Sequence, residues 1–107
     1  MAKVIINIPD IAIGRSAVID VEGRRILFCR SATALHALDE ICPHQNKSLD
    51  GGRVRGNSLI CPHHGARFSL EDGKSLSPLT NNGLKLFPCD EKDGRAEIIL
   101  DEREGGF

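Results

Sequence analysis

Two short cysteine–histidine segments constrain the fold of this chain more than any other feature. They read CPH (residues 42–44) and CPHH (residues 61–64), and sixteen residues lie between His44 and Cys61. Thiolate and imidazole are the side chains that bind transition metals well near neutral pH. A proline follows the cysteine in both segments, and its ring fixes φ and removes an N–H, which favours a rigid ligand loop. We therefore expect a fold that brings two distant loops to one metal centre.

The second segment carries two adjacent histidines, His63 and His64. Adjacent side chains of an extended chain point to opposite faces, so the two cannot easily serve the same centre. One candidate set is Cys42, His44, Cys61 and His64. The rival is a symmetric site that uses His63 in place of His64.

Short β-rich runs alternate with turn signals along the whole chain, and no long segment shows the 3.6-residue period of a helix. The predicted strands are 4–8, 17–21, 25–29, 35–38, 53–54, 59–61, 66–70, 84–87 and 96–100, and the main turns are 22–24, 50–52, 71–73, 81–83 and 93–94. This pattern predicts an all-β antiparallel sandwich or small barrel. We expect one domain over residues 1–107, with both ligand loops at one end.

Composition excludes several classes of function. Apolar residues make up 40% of the 107 and charged residues 27%, which is typical of a soluble globular domain. The net charge of −1 gives no indication of nucleic-acid binding. We expect no signal peptide at residues 1–10, no membrane span and a cytoplasmic location, where thiols stay reduced. Cys29 and Cys89 then read as small core residues, and His36 as an ordinary strand histidine.

Charge is unevenly distributed along the chain. Residues 90–107 carry seven acids and three bases, a net charge of −4, whereas residues 1–89 carry eight acids and eleven bases, a net charge of +3. The simplest interpretation is a solvated acidic tail.

The ligand pattern distinguishes between metals. Structural zinc sites usually pair like ligands, two cysteines and then two histidines, whereas here each loop supplies one cysteine and one histidine. One ligand of each kind from each loop suits two metal ions side by side, one iron with both cysteines and the other with both histidines. The segments Cys42-x-His44 and Cys61-x-x-His64, within CPHQNKSLDGGRV and CPHHGARFSLEDGK, resemble the Rieske [2Fe–2S] motif over roughly residues 35–90.

This resemblance implies one [2Fe–2S] cluster on Cys42, His44, Cys61 and His64. High-potential Rieske proteins have two further cysteines that bridge the loops, where this chain has Lys47 and His63. They also carry a serine and a tyrosine where this chain has Ala66 and Phe68, whose lack of hydroxyls implies a low reduction potential. Pro78 matches a proline loop that shields the cluster, and Gly65 implies a close backbone approach to the cluster or a positive φ.

The resemblance also implies a function. Two protein ligands and two sulfides would fill each iron, so the chain would carry single electrons and not be an enzyme. It resembles the ferredoxins that pass electrons from a flavoprotein reductase to the terminal oxygenase of aromatic-ring dioxygenases. Alternatives are a small subunit of another reductase, similar to that of nitrite reductase, and a zinc-stabilised interaction module. We expect the partners to dock on the tip formed by Pro43, Leu49, Pro62 and Pro78–Leu79.

Overall fold

The computed structural model describes residues 2–42, 47–62, 65–76 and 83–100, which contain β-strands and no helix. The strands are β1 (Ala2–Asn7), β2 (Ser16–Val21), β3 (Arg24–Arg30), β4 (Leu35–Asp39), β5 (Ile41–Cys42), β6 (Lys47–Ser48), β7 (Arg53–Arg55), β8 (Ser58–Ile60), β9 (Arg67–Ser69), β10 (Leu86–Phe87), β11 (Cys89–Lys92) and β12 (Arg95–Leu100). Every pairing between these strands is antiparallel. The predicted all-β antiparallel fold is therefore confirmed.

A four-stranded sheet, in the order β10-β4-β3-β2, forms the middle layer. Side chains of a strand alternate between the two faces of its sheet. In β3, Ile26 and Phe28 pack into one hydrophobic core, whereas Leu27 and Cys29 pack into another. This strand is covered on both faces, which explains its continuous apolar run ILFC.

Two smaller sheets cover the opposite faces of the middle layer. The sheet β1-β12-β11 supplies Ala96, Ile98 and Leu100 to the core that holds Phe28. The sheet β7-β8-β9 supplies Leu59 and Phe68 to the core that holds Leu27. Burial of each large side chain contributes about 1.5–3 kcal/mol, so these two cores hold the three layers together.

Two of the predicted turns have the backbone that a tight hairpin requires. Glu22 and Gly23 have φ of 54° and 85°, and Asp93 and Gly94 have φ of 52° and 78°. Positive φ at both central residues is the mark of a type I′ turn, whose twist matches that of the flanking strands. Residues 81 and 82 of the predicted turn at 81–83 lie outside the described residues.

Three observed strands were not predicted from the sequence, namely β5, β6 and β11. The single-domain boundary at 1–107 stays a prediction. No helix in the described ranges is long and apolar enough to cross a membrane.

Candidate metal centre

The two cysteines of the candidate centre hold equivalent places in the fold. Cys42 is the last residue of β5 and pairs with Lys47, the first residue of β6. Cys61 directly follows β8, and its N–H donates to the carbonyl of Ala66 at 2.8 Å. In both cases residue i is joined to residue i+5. Each cysteine therefore directly precedes a four-residue segment whose two ends are held together at its base. We call these segments loop 1 (43–46) and loop 2 (62–65).

The bases of the two loops pack against each other at Gly52. A Cβ atom on this glycine would lie 2.9 Å from the carbonyl oxygen of Leu49 and 3.1 Å from that of Ile60. Leu49 directly follows β6, and Ile60 directly precedes Cys61. Only glycine allows so close an approach of the backbone segments. The structure thus brings together the two loop bases, as the sequence predicted.

A charged network ties loop 1 to the middle sheet. Arg25 of β3 donates to both carboxylate oxygens of Glu40, from Nε at 2.8 Å and from Nη2 at 3.1 Å. The Ser48 hydroxyl donates to the same carboxylate at 2.5 Å, and the N–H of Leu49 donates to the Glu40 carbonyl at 2.7 Å. The hydrogen bonds from Arg25 and Ser48 lower the pKa of Glu40. This carboxylate therefore joins both sides of the loop 1 hairpin to β3.

Loop 2 has a left-handed residue at its end. Gly65 has φ of +74°, and its N–H donates to the carbonyl of Cys61 at 3.1 Å. A Cβ on this residue would meet no atom within 4 Å among those compared. The positive φ expected for Gly65 is therefore observed, and its close approach to the cluster stays a prediction.

The surroundings of Cys61 are apolar and closed to solvent. Cys61 is 3% exposed, and it shares one core with Ala66 and Phe68, which are fully buried. No side-chain hydroxyl stands at either of these two positions. Cys61 therefore packs against apolar side chains, which keep water from one side of the candidate centre.

This arrangement fits an iron–sulfur cluster. The bases of the two loops lie next to each other, and each loop is directly preceded by one cysteine, as a centre that takes one cysteine from each loop requires. His44, His63, His64 and Pro78 lie outside the described residues. The ligand set Cys42, His44, Cys61 and His64 therefore stays a prediction. The described part of the chain itself contains no group of three or more potential metal ligands.

The position of Leu49 differs from the one we expected. We expected it on the docking tip, but its side chain is fully buried in the core beside Cys61. After β6 the chain turns inward before the exposed Asp50–Gly51 turn, so Leu49 gains more from the core than from the surface. Pro62 is exposed, and the remaining tip residues lie outside the described ranges.

The other cysteines and His36 behave as the sequence indicated. Cys29 is buried and Cys89 half-buried, and both are free thiols. Burial is the main cause that raises the pKa of Cys29 to about 12 and that of Cys89 to about 11. Burial lowers the pKa of His36, whose Nε2 lies 3.1 Å from the Ser31 hydroxyl oxygen. These thiols are protonated at neutral pH and belong to the packing of the sheets.

Comparison with known proteins is consistent with this geometry. The family model described as "Rieske [2Fe-2S] domain" matches residues 2–88. The chain is 36% identical to the ferredoxin component of the alkene monooxygenase system of Xanthobacter autotrophicus, over 85% of this chain and 75% of that protein. It is 29% identical to the ferredoxin component of the naphthalene 1,2-dioxygenase system of Pseudomonas putida, over 89% of this chain and 91% of that protein.

Among solved structures, the ferredoxin of carbazole 1,9a-dioxygenase from Nocardioides aromaticivorans IC177 superposes with a TM-score of 0.79 at 17% identity. The match covers 91% of this chain and 98% of the ferredoxin. At this identity the likeness shows a shared fold. The Rieske resemblance of the two cysteine–histidine segments is confirmed by the family match, and the chain belongs to the Rieske [2Fe–2S] domain family.

Proposed function

We propose that this chain is a one-electron carrier that holds one [2Fe–2S] cluster on Cys42, His44, Cys61 and His64. The observation that carries the proposal is the pair of equivalent loops with adjacent bases, each directly preceded by a cysteine. When bound, a Rieske cluster takes up and releases single electrons. With all four ligands supplied by the chain, no substrate needs to reach iron, and the protein is a carrier and not an enzyme.

The residues around the loops have separate tasks in this proposal. Cys61 is buried in one core with Ala66 and Phe68, and this packing excludes water from the surroundings of Cys61. Arg25, Glu40 and Ser48 hold the base of loop 1, and a site held by such supporting residues suits a carrier whose ligands must keep their geometry.

The partners are inferred from relatives. Matched proteins of similar length are named as ferredoxin components of an alkene monooxygenase system and of naphthalene 1,2-dioxygenase systems. We infer that this chain passes electrons from a flavoprotein reductase to the terminal oxygenase of a multicomponent oxygenase, with a ring-hydroxylating dioxygenase as the first candidate. We place it in the cytoplasm, because its four cysteines suit a reducing compartment. We propose no membrane partner and, since the net charge is −1, no nucleic-acid partner.

A reconstitution tests this role. The products of the genes adjacent to this one are purified, and the dithionite-reduced chain is mixed with the oxygenase among them in a stopped-flow instrument. We expect oxidation of the chain by one electron per cluster, followed by turnover when the reductase and a nicotinamide donor are added. A chain that carries its cluster but supports no transfer to any of these proteins would contradict the proposed role.

A reductase subunit is the second candidate. Two solved small subunits described as putative nitrite reductases, one of them from Mycobacterium tuberculosis, superpose with a TM-score of 0.75 at 19% and 18% identity. Gel filtration of the co-expressed gene products separates the two cases. A carrier elutes as a free chain because it must leave its partner after each transfer, whereas a fixed subunit elutes with the larger protein.

A further inference from the structure

The outer face of the sheet β7-β8-β9 carries a set of cations that the electron-carrier role does not by itself explain. Directly opposed residues of an antiparallel sheet share one face. Arg53 pairs with Ile60, and Ile60 pairs with Arg67. The N–H of Leu76 donates to the Arg67 carbonyl at 2.8 Å, which extends this row to a fourth chain segment.

A second row runs beside the first on the same face. Arg55 pairs with Ser58, and Ser58 pairs with Ser69. The N–H of Ser69 donates to the carbonyl of Lys74 at 2.9 Å, so Lys74 ends this row. The residues between the rows point the other way, since Leu59 and Phe68 are fully buried in the core. The two rows therefore form an outer surface, which we call the basic face and define by Arg53, Arg55, Arg67 and Lys74.

The basic face contains four exposed cations and no acid. Within the described residues, the guanidinium groups of Arg53, Arg55 and Arg67 form no ion pair and no side-chain hydrogen bond. The nearest acids in sequence, Asp50, Glu71 and Asp72, are exposed and lie in turns. Asp72 accepts the N–H of Lys74 at 3.0 Å, and Asp50 contributes to raising the pKa of Arg25. In the part of the chain that the structure describes, no carboxylate is therefore paired with the three arginines of the basic face.

This face lies next to the metal centre. Ile60, between Arg53 and Arg67, directly precedes Cys61, and Arg67 directly follows Ala66 at the base of loop 2. Neighbouring strands are about 5 Å apart, so both arginines begin within a few residue lengths of Cys61. Leu76, which is 52% exposed, adds an apolar contact at the end of the first row. A protein seated here would lie against loop 2.

The sheet that covers the other face of the middle layer carries charges of both signs. Asp90, Glu91, Asp93 and Glu97 lie in β11, β12 and their connecting turn, and Lys3, Lys92 and Arg95 lie in the same sheet. The total charge of the chain is only −1, so the four cations of the basic face, and not the net charge, orient the chain in the field of a partner.

We propose that the basic face is the docking surface for a redox partner that carries an acidic patch around its own electron port. The proposal rests on the electron-carrier function and adds to it the side of approach and the charge of the partner. Four cations beside an exposed leucine are complementary to a patch of carboxylates with an apolar centre. A hydrated, mainly electrostatic contact of this kind lets the partner dissociate quickly after transfer. The overall charge of −1 disfavours a polyanion such as nucleic acid, which would also meet the acids of the chain.

Two protein oxidants of opposite charge serve as probes. Plant plastocyanin is acidic and cytochrome c is basic, and both are strong enough oxidants to take an electron from a Rieske cluster. The dithionite-reduced holoprotein gives one electron to Cu(II) of plastocyanin or to Fe(III) of cytochrome c, and the second-order rate is measured at about 20 mM and 300 mM salt.

The variant R53E/R55E/R67E reverses three charges on the basic face, a change of −6 in net charge. The matched control K3E/K92E/R95E makes the same change with exposed residues of the opposite layer. At low salt we expect the first variant to lose about tenfold or more in rate with plastocyanin and to gain with cytochrome c. The control should change both rates much less, and high salt should nearly remove the differences.

Equal rates in the wild type and the first variant would overturn the proposal, and so would an equal loss in the control. The single variant R55E, whose side chain is farthest from loop 2, repeats the test with a smaller expected loss if the triple variant takes up no iron. Binding of a labelled 20-nucleotide single strand at low micromolar concentration in 0.15 M salt, lost in R53E/R55E/R67E, would assign the face to nucleic acid instead. A wild-type chain without iron would refute the electron-carrier function, whereas a loaded cluster with charge-independent rates refutes only the docking surface.

Discussion

At the scale of single residues, we expect Ala66 and Phe68 to influence the reduction potential of the centre. Ala66 and Phe68 are fully buried beside Cys61, and neither has a hydroxyl that could donate to sulfur. Such hydrogen bonds stabilise the more negative, reduced cluster, and their absence lowers the potential. We expect a potential near the low end of the Rieske range, about −150 mV on a scale that reaches about +300 mV.

Protein-film voltammetry checks this expectation with the variant A66S/F68Y. The two new hydroxyls should raise the potential when they reach sulfur, whereas F28Y, a change of the same kind in the remote core, should leave it unchanged. A wild-type value above zero would contradict the reasoning from Ala66 and Phe68.

We expect the backbone conformation of Gly65 to affect cluster binding. Its φ of +74° is costly for any residue with a Cβ, by about 1–2 kcal/mol. Gly23 has φ of +85° in a hairpin far from the loops in sequence, and a Cβ there also meets no atom within 4 Å. We expect G65A and G23A to lower the free energy of unfolding by similar amounts, measured in urea, but only G65A to reduce the iron content. Equal iron content in both variants would show that loop 2 tolerates the strain.

At the scale of elements, the hairpin of β5 and β6 depends on one carboxylate. Glu40 accepts hydrogen bonds from Arg25 and Ser48, and hydrogen bonds to charged groups are stronger than those between neutral groups, less so where solvent screens them. We expect E40Q to lose iron faster than the wild type to a strong chelator, because the base of loop 1 opens more often. E91Q is the matched control, since Glu91 also pairs with an arginine but lies in β11. The same rate of loss in both variants would show that Glu40 does not hold the loop.

The strands that sequence analysis missed share a physical reason. β5 and β6 have two residues each, too few for any periodic pattern. β11 contains Asp90, Glu91 and Lys92 in succession and lies at the exposed edge of its sheet, where only Cys89 needs to be partly buried. By contrast, β3 and β12 were predictable because burial against a core imposes a continuous or alternating apolar pattern.

The candidate site was predictable for a different reason. Metal ligands are chemically distinctive, so Cys42 and Cys61 stand out by residue type and spacing even without any strand prediction. What the sequence did not indicate is the packing beneath them, namely the contact at Gly52 and the network around Glu40. Leu49 was placed wrongly for the same reason, because its sequence neighbours do not reveal that the chain turns inward there.

At the scale of the whole molecule, an ion pair joins the middle layer to the outer sheet β1-β12-β11. Both terminal nitrogens of Arg30 donate to the Glu91 carboxylate at 2.7 Å, and Arg30 Nε donates to the Ile11 carbonyl at 2.6 Å. The hydrogen bond from Arg30 lowers the pKa of Glu91. A lowered folded-state pKa stabilises the fold above the unfolded value, near 4.5, and this stabilisation is lost as pH falls through the folded value.

We therefore expect E91Q to be less stable than the wild type at pH 7, by at most about 1 kcal/mol because the pair is partly solvated. Below the folded-state pKa the two proteins should converge. Urea unfolding at a series of pH values measures this, and a difference that stays constant down to pH 2 would contradict the assigned role of the carboxylate.

The central claim is that one [2Fe–2S] cluster is held by Cys42, His44, Cys61 and His64. Analysis of iron and acid-labile sulfide in the wild type and in the alanine variants at these positions and at His63 tests it most directly. We expect about two irons and two sulfides in the wild type and in H63A, and none in C42A, H44A, C61A or H64A. A colourless H63A beside a coloured, iron-loaded H64A would contradict the account, and so would a wild-type protein that binds zinc and no iron.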